Sequence, residues 1–365
     1  MLKIIIDSYI PYIEGALEGL ADVHYLPFVE IKPERLSDAD ALIVRTRTQC
    51  NAALLEGSRV KFIASATIGY DHIDADYCRE KQISWTNAPG CNALSVAQYL
   101  ASALSYLEEK KGLDLKTKSI GIVGVGAVGS KIAELATSFG MRVLLNDPPR
   151  ARREGTKYFV DLETICREAD IISFHTLLNR TGPDKTYHLA DKAFFERLRQ
   201  KPVIINAARG EIVSTDAILE ALNAGKISEA ILDCWENEAQ VHPQLLERSL
   251  LATPHIAGYS ADGKANAAQQ SIRALSRFFG LGIDDWETPQ LPPPIESACK
   301  PGGSVTDFFL RTYDIEADSI LLKSNPSGFE AQRSNYPFRR EPKAYLPYMD
   351  ADFAKSFIKT FPLFF

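Results

Sequence analysis

The stretch Ser119–Asp147, SIGIVGVGAVGSKIAELATSFGMRVLLND, constrains the fold more than any other part of the chain. Its apolar run, Ile120, Ile122 and Val123, reads as a buried strand. Gly124, Gly126 and Gly129 follow at G-x-G-x-x-G spacing. A helical stretch comes next, with Ile132, Ala133, Leu135, Ala136 and Phe139 on one face, and a second strand, Arg142 to Asn146, ends on Asp147. Glycine has no Cβ, so the backbone there can approach a pyrophosphate. The helix start at Ala127 and Val128 then offers unpaired N–H groups to that anion. Asp147 stands 18 residues after Gly129, where a carboxylate accepts bonds from ribose hydroxyls. Three glycines alone often mark only a tight turn; here strand, glycines, helix, strand and acid fall in order. Asp147 would also repel a 2′-phosphate, so NAD is expected rather than NADP. Arg150, Arg152 and Arg153 argue the other way and read as a solvated loop.

At 365 residues the chain is long enough for two or three domains. A net charge of −6 offers no general attraction to nucleic acid or to a membrane. Cys50, Cys78, Cys91, Cys166, Cys234 and Cys299 form no C-x-x-C pair. They read as buried or free thiols of a reducing cytoplasm, without a disulfide framework or a metal site. No apolar segment approaches transmembrane length. The start, MLKIIIDSYIPY, reaches an acid at Asp7 and reads as a first strand, not a signal peptide.

Residues 1–93 alternate strand signals (Lys3–Ile6, Val23–Leu26, Ala41–Val44, Phe62–Ala66, Ile83–Thr86) with helical or connecting ones (Glu14–Leu20, Pro33–Leu36, Ala52–Glu56, Ala75–Lys81). That alternation predicts a parallel sheet. Ligands bind outside the carboxyl ends of such strands. The loops Arg45-Thr46-Arg47-Thr48 and Thr67-Ile68-Gly69-Tyr70-Asp71 are therefore candidate substrate contacts. Arg45 and Arg47 suit a carboxylate or phosphate, and read equally as surface arginines at a strand end. A helix from Ser95 to about Lys111 leads into the nucleotide domain. Strand signals continue at Ile171–Phe174, Val203–Asn206, Ala230–Asp233 and Leu250–Ala252, and a helix at 263–279 returns the chain to the first domain. Ten of the twenty prolines lie beyond Trp286, so 286–299 reads as a linker. Weak helix signals at Val305–Tyr313 and Asp352–Phe361 mark the tail as a small third domain or a dimerisation appendage.

Three stretches at strand ends carry chemistry: Asn206–Gly210, Asp233–Glu238 and Thr253–Tyr259. Arginine, glutamate and histidine suit hydride transfer at a carbon beside a carboxylate. The arginine binds the carboxylate, the histidine exchanges the hydroxyl proton, and a neighbouring acid orients the ring. Spacing leaves Glu236 and Glu238 both open as that acid. His72, His188 and His242 read as structural, whereas His175-Thr176 can line the cofactor.

At these residues the chain resembles the D-isomer-specific 2-hydroxyacid dehydrogenases over about residues 1–285, through GVGAVG (124–129), NAARG (206–210), the D-x-W-E-x-E segment (233–238) and PHIAG (254–258). The resemblance implies an α/β fold of three parts. These are a flavodoxin-like split substrate domain (1–93 with 258–285), a doubly wound parallel-sheet Rossmann NAD-binding domain (94–257), and a small C-terminal α+β dimerisation domain (286–365). It makes Arg209, Glu238 and His255 catalytic, choosing Glu238 over Glu236. It sets NAD on Gly124, Gly126, Ala127, Val128, Gly129, Asp147, Thr176, Asp233 and Gly258, and substrate on Thr46, Thr67 and Tyr259, beside Arg45.

Further segments, VRTRT (44–48), SATIGYDHID (65–74), APGCNA (88–93), NDPPRA (146–151), FHT (174–176), GPDKTYHLAD (182–191) and HIAGYS (255–260), narrow the resemblance. They imply a small phosphorylated four-carbon hydroxy acid as substrate, on the route to pyridoxal 5′-phosphate, and a homodimer joined through the tail. Leu177 departs from the proline usual after His-Thr, and Arg339 or Arg340 is a candidate to reach the phosphate from the tail. The alternatives are another 2-hydroxyacid dehydrogenase, such as one acting on phosphoglycerate, and an NAD(H)-responsive corepressor of the same fold.

Overall fold

The computed structural model describes residues 1–295 and 303–365; Cys299 and the end of the expected 286–299 linker lie outside the described residues. The chain forms two compact units, Met1–Asn92 with Ser260–Pro292, and Ala93–Tyr259 with Pro293–Phe365.

The first unit is built on strands β1 (Lys3–Asp7), β2 (Asp22–Leu26), β3 (Ala41–Val44), β4 (Phe62–Ser65) and β5 (Ser84–Thr86), all parallel, in the order β2-β1-β3-β4-β5. The central strands are unbroken apolar runs because both of their faces are covered. Ile4, Ile6, Ile43 and Ala64 pack with Ala268, Ile272 and Leu275 of the helix Ala261–Phe279. Ile5, Leu42, Val44 and Ile63 face the opposite layer with Leu36, Leu54 and Cys78. Ser260 caps that long helix by accepting from Gly263 N at 2.7 Å, and Gly280 ends it at φ 68°. Glu14–Leu20, read as helical or connecting, is the connecting kind, a series of turns in which Gly15 (φ 84°) and Gly19 (φ 89°) take the left-handed region.

The second unit carries β6 (Ser119–Val123), β7 (Arg142–Asn146), β8 (Ile171–Phe174), β9 (Val203–Asn206), β10 (Glu229–Leu232) and β11 (Leu251–Ala252), again all parallel, in the order β11-β10-β9-β8-β6-β7. The order reverses between β6 and β8, the switch point at which such sheets bind ligands. Beyond β7 the chain continues the edge without a full strand: Val160 N donates to Leu145 O at 2.7 Å, and Asn146 Nδ2 donates to Val160 O at 2.7 Å.

Among the described residues the tail is helical and holds no strand, which replaces the α+β content expected of it. Its aromatics recur at helical spacing, as Phe353, Phe357 and Phe361 do, and one helical face can bury them together. Phe309, Phe357, Phe361 and Phe364 join the core formed by Ala97, Leu104, Ile132 and Leu135, with the Phe361 ring 5.2 Å from Phe139. Each such ring stabilises the fold by about 1.5–3 kcal/mol. Ser95 Oγ donates to Glu341 Oε1 at 2.8 Å, tying tail to helix Ala93–Lys111. No described helix is long and apolar enough to cross a membrane.

Candidate active site

The glycine turn follows β6. Gly124 has φ 90°, and a Cβ there would meet Thr176 N at 2.7 Å; at Gly129 it would meet Gly124 O at 1.9 Å. These two glycines let strand, loop and helix Ala127–Ser138 close on one another. Gly126 differs, since a Cβ on it would meet nothing within 4 Å. Protein packing does not demand that glycine, so the open face it leaves is room for a ligand's approach. Gly126 is also the N-cap of the helix and makes no side-chain cap bond, so the first N–H groups, around Ala127 and Val128, remain for an anion. Thr176 Oγ1, packed against Gly124, is buried without a hydrogen-bond partner. An open glycine, an uncapped helix start and an orphaned hydroxyl fit a bound dinucleotide.

Asp147 ends β7 beside this turn. Its Oδ2 accepts from Val125 N at 2.8 Å, and its Oδ1 caps the helix Pro148–Glu154 by accepting from Arg150 N at 2.9 Å. Each carboxylate oxygen retains a lone pair for a ribose hydroxyl. Arg150, read from sequence as solvated, donates from Nη1 to Val125 O at 2.6 Å and pairs with Glu154 at 2.6 Å. Asp147 and Arg150 together hold both polar groups of the Val125 peptide. Next to Thr176, burial pushes His175 down to about 3, so its ring is neutral, with Nε2 2.8 Å from Ser173 Oγ.

The loops after β10 and β11 meet at His255. Both Glu238 oxygens lie 2.8 Å from His255 Nδ1, and Nε2 makes no hydrogen bond to a described residue. Burial alone would raise the Glu238 carboxyl. The His255 ring and the Arg333 guanidinium outweigh it and hold the group below the usual carboxylate range. Glu236 turns elsewhere: it accepts from Thr215 N at 2.7 Å and lies 2.6 Å from His188 Nε2. Spacing left the two acids undecided, and the backbone decides between them, because Asn237 at φ 55° takes the segment out of extended conformation.

His255 itself sits at φ 57°, a left-handed conformation that a non-glycine residue adopts only when its surroundings enforce it. Asp233 and Arg339 supply that enforcement from two sides. Asp233, at the end of β10 and 1% exposed, accepts from Thr253 Oγ1 at 2.7 Å, Ile256 N at 2.8 Å and Ala257 N at 2.9 Å. Burial nevertheless leaves its pKa raised. Arg339 donates to Ile256 O at 3.3 Å and Ala257 O at 2.6 Å, its guanidinium 4.2 Å from the Tyr313 ring centroid. Arg339, one of the two arginines expected to reach a phosphate, is thus buried beneath the loop that carries Gly258, while Arg340 O accepts from Gln98 Nε2 at 3.0 Å.

Arg209 follows β9. Its Nη1 donates to Ala208 O at 2.8 Å, and Asn206 Nδ2 donates to Arg209 O at 2.9 Å. Gly210 explains the Arg-Gly pair, since a Cβ on it would lie 1.9 Å from Trp235 C. The arginine loop therefore closes on the β10 loop, where Trp235 is anchored by Nε1 donation to Thr253 O at 2.9 Å. Cys234 Sγ lies within 4.8 Å of the ligand atoms of Glu238 and His255. Burial raises its pKa well above the ordinary value, so the thiol stays protonated.

In the first unit, the loops after β1 and β3 meet at that sheet's own switch point. Arg45 Nη1 donates to Tyr9 O at 3.0 Å, and Thr46 is half-buried beside it. Thr67 Oγ1 donates to Gly69 O at 2.8 Å and lies 2.8 Å from Ser65 Oγ, which is 2.9 Å from His72 Nε2. The sequence reading does not single out Arg333, and it gives Arg339 a different partner: they lie 74 and 83 residues from Tyr259 and Ile256, to which they donate.

Residues 96–257 match the family described as D-isomer specific 2-hydroxyacid dehydrogenase, NAD binding domain. Erythronate-4-phosphate dehydrogenase of Bacteroides fragilis is 51% identical over 345 residues, which cover 94% of this chain and 98% of that protein. The protein of the same name from Porphyromonas gingivalis is 41% identical, covering 94% and 95%. Among solved structures, D-lactate dehydrogenase from Aquifex aeolicus, complexed with NAD and lactic acid, shares the fold with a TM-score of 0.65 at 24% identity, covering 79% of this chain and 99% of that one. The cofactor-bound 3-phosphoglycerate dehydrogenase of Entamoeba histolytica has a TM-score of 0.65 at 25% identity, covering 80% and 99%. With a glycine turn open to NAD, a histidine–glutamate pair on the same sheet edge, and these relatives along nearly its whole length, the chain belongs to the D-isomer-specific 2-hydroxyacid dehydrogenase family.

Proposed function

We propose that this member of the family oxidises 4-phospho-D-erythronate at C2 with NAD, giving (R)-3-hydroxy-2-oxo-4-phosphooxybutanoate, a step on the route to pyridoxal 5′-phosphate. Relatives at 51% and 41% identity carry the name of that activity. The observation that carries the reading is the His255 ring, held through Nδ1 by Glu238 with Nε2 left for a substrate hydroxyl.

NAD held at the glycine turn would supply the acceptor for the C2 hydride. His255 Nε2 takes the C2 hydroxyl proton, and the ionised Glu238 keeps the ring in one orientation and stabilises its charged form. Arg209 takes the carboxylate next to C2 through its planar fork. Asp147, Thr176, Gly258 and the Gly124–Gly129 turn would hold the cofactor, and Asp233 would serve it by fixing the loop that presents Gly258. Thr46, Thr67, Arg45 and Tyr259 are the residues assigned to the remainder of the substrate.

In this reading, residues 1–93 with 258–285 bind substrate, 94–257 bind NAD, and 286–365 join two copies. Exposed Ile320, Leu321 and Phe338, large apolar side chains in the tail, support that homodimer. The five described cysteines are free, which supports a cytoplasmic site of action.

The test is turnover of 4-phospho-D-erythronate, 3-phosphoglycerate and D-glycerate, each with NAD and a 2-keto acid as acceptor for the reducing equivalents. The phosphorylated four-carbon acid should give the highest kcat/KM. Preference for 3-phosphoglycerate would move the chain to another branch of the family, and no turnover with any of the three would favour an NAD(H)-responsive binding protein.

A further inference from the structure

A cation that no motif contains stands beside the His255 loop. Arg333 belongs to the tail helix Phe329–Ser334. Its Nε donates to Tyr259 Oη at 3.0 Å, and the guanidinium carbon lies 5.7 Å from the centroid of the same ring. Nη1 is 4.0 Å from Glu238 Oε2, while both Glu238 oxygens lie 2.8 Å from His255. Arg333 is therefore not the closest partner of that acid. The Arg333 side chain is only 15% exposed, yet Nη1 and Nη2 make no hydrogen bond to a described residue. A guanidinium hydrogen-bonded through Nε alone, whose fork touches Glu238 only at 4.0 Å, has donors to offer a ligand.

Charge counting says which ligand. A 2-hydroxy acid brings one carboxylate, which Arg209 balances, and Glu238 is needed as an anion by His255. Arg333 is a surplus positive charge in that account. A phosphate monoester brings about −1.5 to −2 more charge and three acceptor oxygens, and a partly buried guanidinium with a phenol beside it offers matching donors.

We propose that Arg333, delivered by the C-terminal tail, and Tyr259 form an anion subsite that takes the phosphate of the substrate. The inference rests on the substrate reading above. It assigns the tail a part in the active site: the segment that packs on the nucleotide-binding core also carries the residue that selects a phosphorylated acid.

The experiment compares wild type with Arg333→Ala, Arg333→Gln and Arg333→Lys. Readouts are kcat/KM for 4-phospho-D-erythronate and for unphosphorylated D-erythronate, competitive inhibition by inorganic phosphate, and NADH binding as a check on folding. Hydrogen bonds to charged groups are worth about 1.5–3 kcal/mol, so the Ala and Gln variants should lose about 10- to 100-fold on the phosphorylated acid, mostly in KM. They should lose less than about threefold on the unphosphorylated acid, with inhibition by phosphate weakened in parallel and Lys recovering part of the loss. Equal losses on both substrates, or phosphate inhibition unchanged in the variants, would overturn the proposal and leave Arg333 as a support for Glu238. Should wild type turn over neither acid, the substrate reading fails by itself. Calorimetric binding of inorganic phosphate to the NADH-loaded wild type and Arg333→Gln proteins then decides the subsite: binding lost in the variant supports it, and binding absent from both or equal in both overturns it.

Discussion

His188 with Glu236 and His255 with Glu238 are two pairs of the same chemistry, drawn from acids two residues apart. Both histidines have left-handed backbone, at φ 51° and 57°, and the pairs close at 2.6 and 2.8 Å. Both carboxyls are held below their usual range against burial, largely by their histidines. The environments differ. His188 uses Nε2, stacks on Tyr187 at 4.1 Å, and shares Glu236 with Thr215 N at the start of helix Thr215–Asn223. That pair fastens a loop to a helix end. His255 uses Nδ1, leaves Nε2 without a hydrogen bond to a described residue, and sits on a backbone clamped by Asp233 and Arg339. The comparison teaches that a histidine–carboxylate distance does not identify a proton-transfer site. The nitrogen engaged and the groups around the free one do.

The sharpest way to break the comparison is to delete each ring. His255→Ala should lower kcat by about 10²- to 10⁴-fold, the usual worth of a positioned acid–base group. His188→Ala should leave kcat within about threefold while lowering stability by about 1 kcal/mol. Steady-state NADH formation with thermal unfolding measures both, and similar losses of kcat would erase the distinction drawn between the pairs.

A smaller effect tests the clamp that only the second pair possesses. Arg339→Met removes the Nη2 group that donates to both the Ile256 and Ala257 carbonyls. Stability should fall by about 1–3 kcal/mol, with kcat lowered about tenfold. Unchanged kcat in the folded variant would mean that the left-handed His255 conformation holds itself.

The smallest effect concerns pH. A carboxyl whose folded pKa is lowered contributes stability above its unfolded value, and that contribution is lost as pH falls through the folded value. Because both pairs share this direction, Glu236→Gln and Glu238→Gln should each flatten the loss of stability between about pH 5 and the acid limb, relative to an unfolded carboxyl near ~4.3. Only Glu238→Gln should also reduce kcat at neutral pH. Urea unfolding across that range, paired with kcat, reads both outcomes.

Much of the fold was legible because fully covered parallel strands must be continuous apolar runs, as ALIV at 41–44 and VIIN at 203–206 are. The open and mistaken readings have local causes. Glu14–Leu20 has helical composition, but its bounding glycines are used at positive φ. The tail carried apolar residues without an obvious partner surface, and their destination, beside Phe139 and Ala97, lies some 170 residues or more earlier in the chain. In the candidate site, Arg209 and His255 stood out by following strands, whereas spacing left Glu236 and Glu238 both open. The same reading gave Arg150 to solvent and Arg339 to a phosphate, because a charged side chain's partner is not encoded in its neighbours.

The sequence by itself determined the parallel α/β architecture, the glycine turn with its acid, and the residue types available for proton transfer, since these follow from local periodicity and from what glycine alone permits. Which glutamate meets His255, which arginines lie under and beside its loop, and where the tail packs were decided only by tertiary structure. These are through-space relations among segments far apart in the chain, and burial and charge select their partners only after the sheet has brought those segments together.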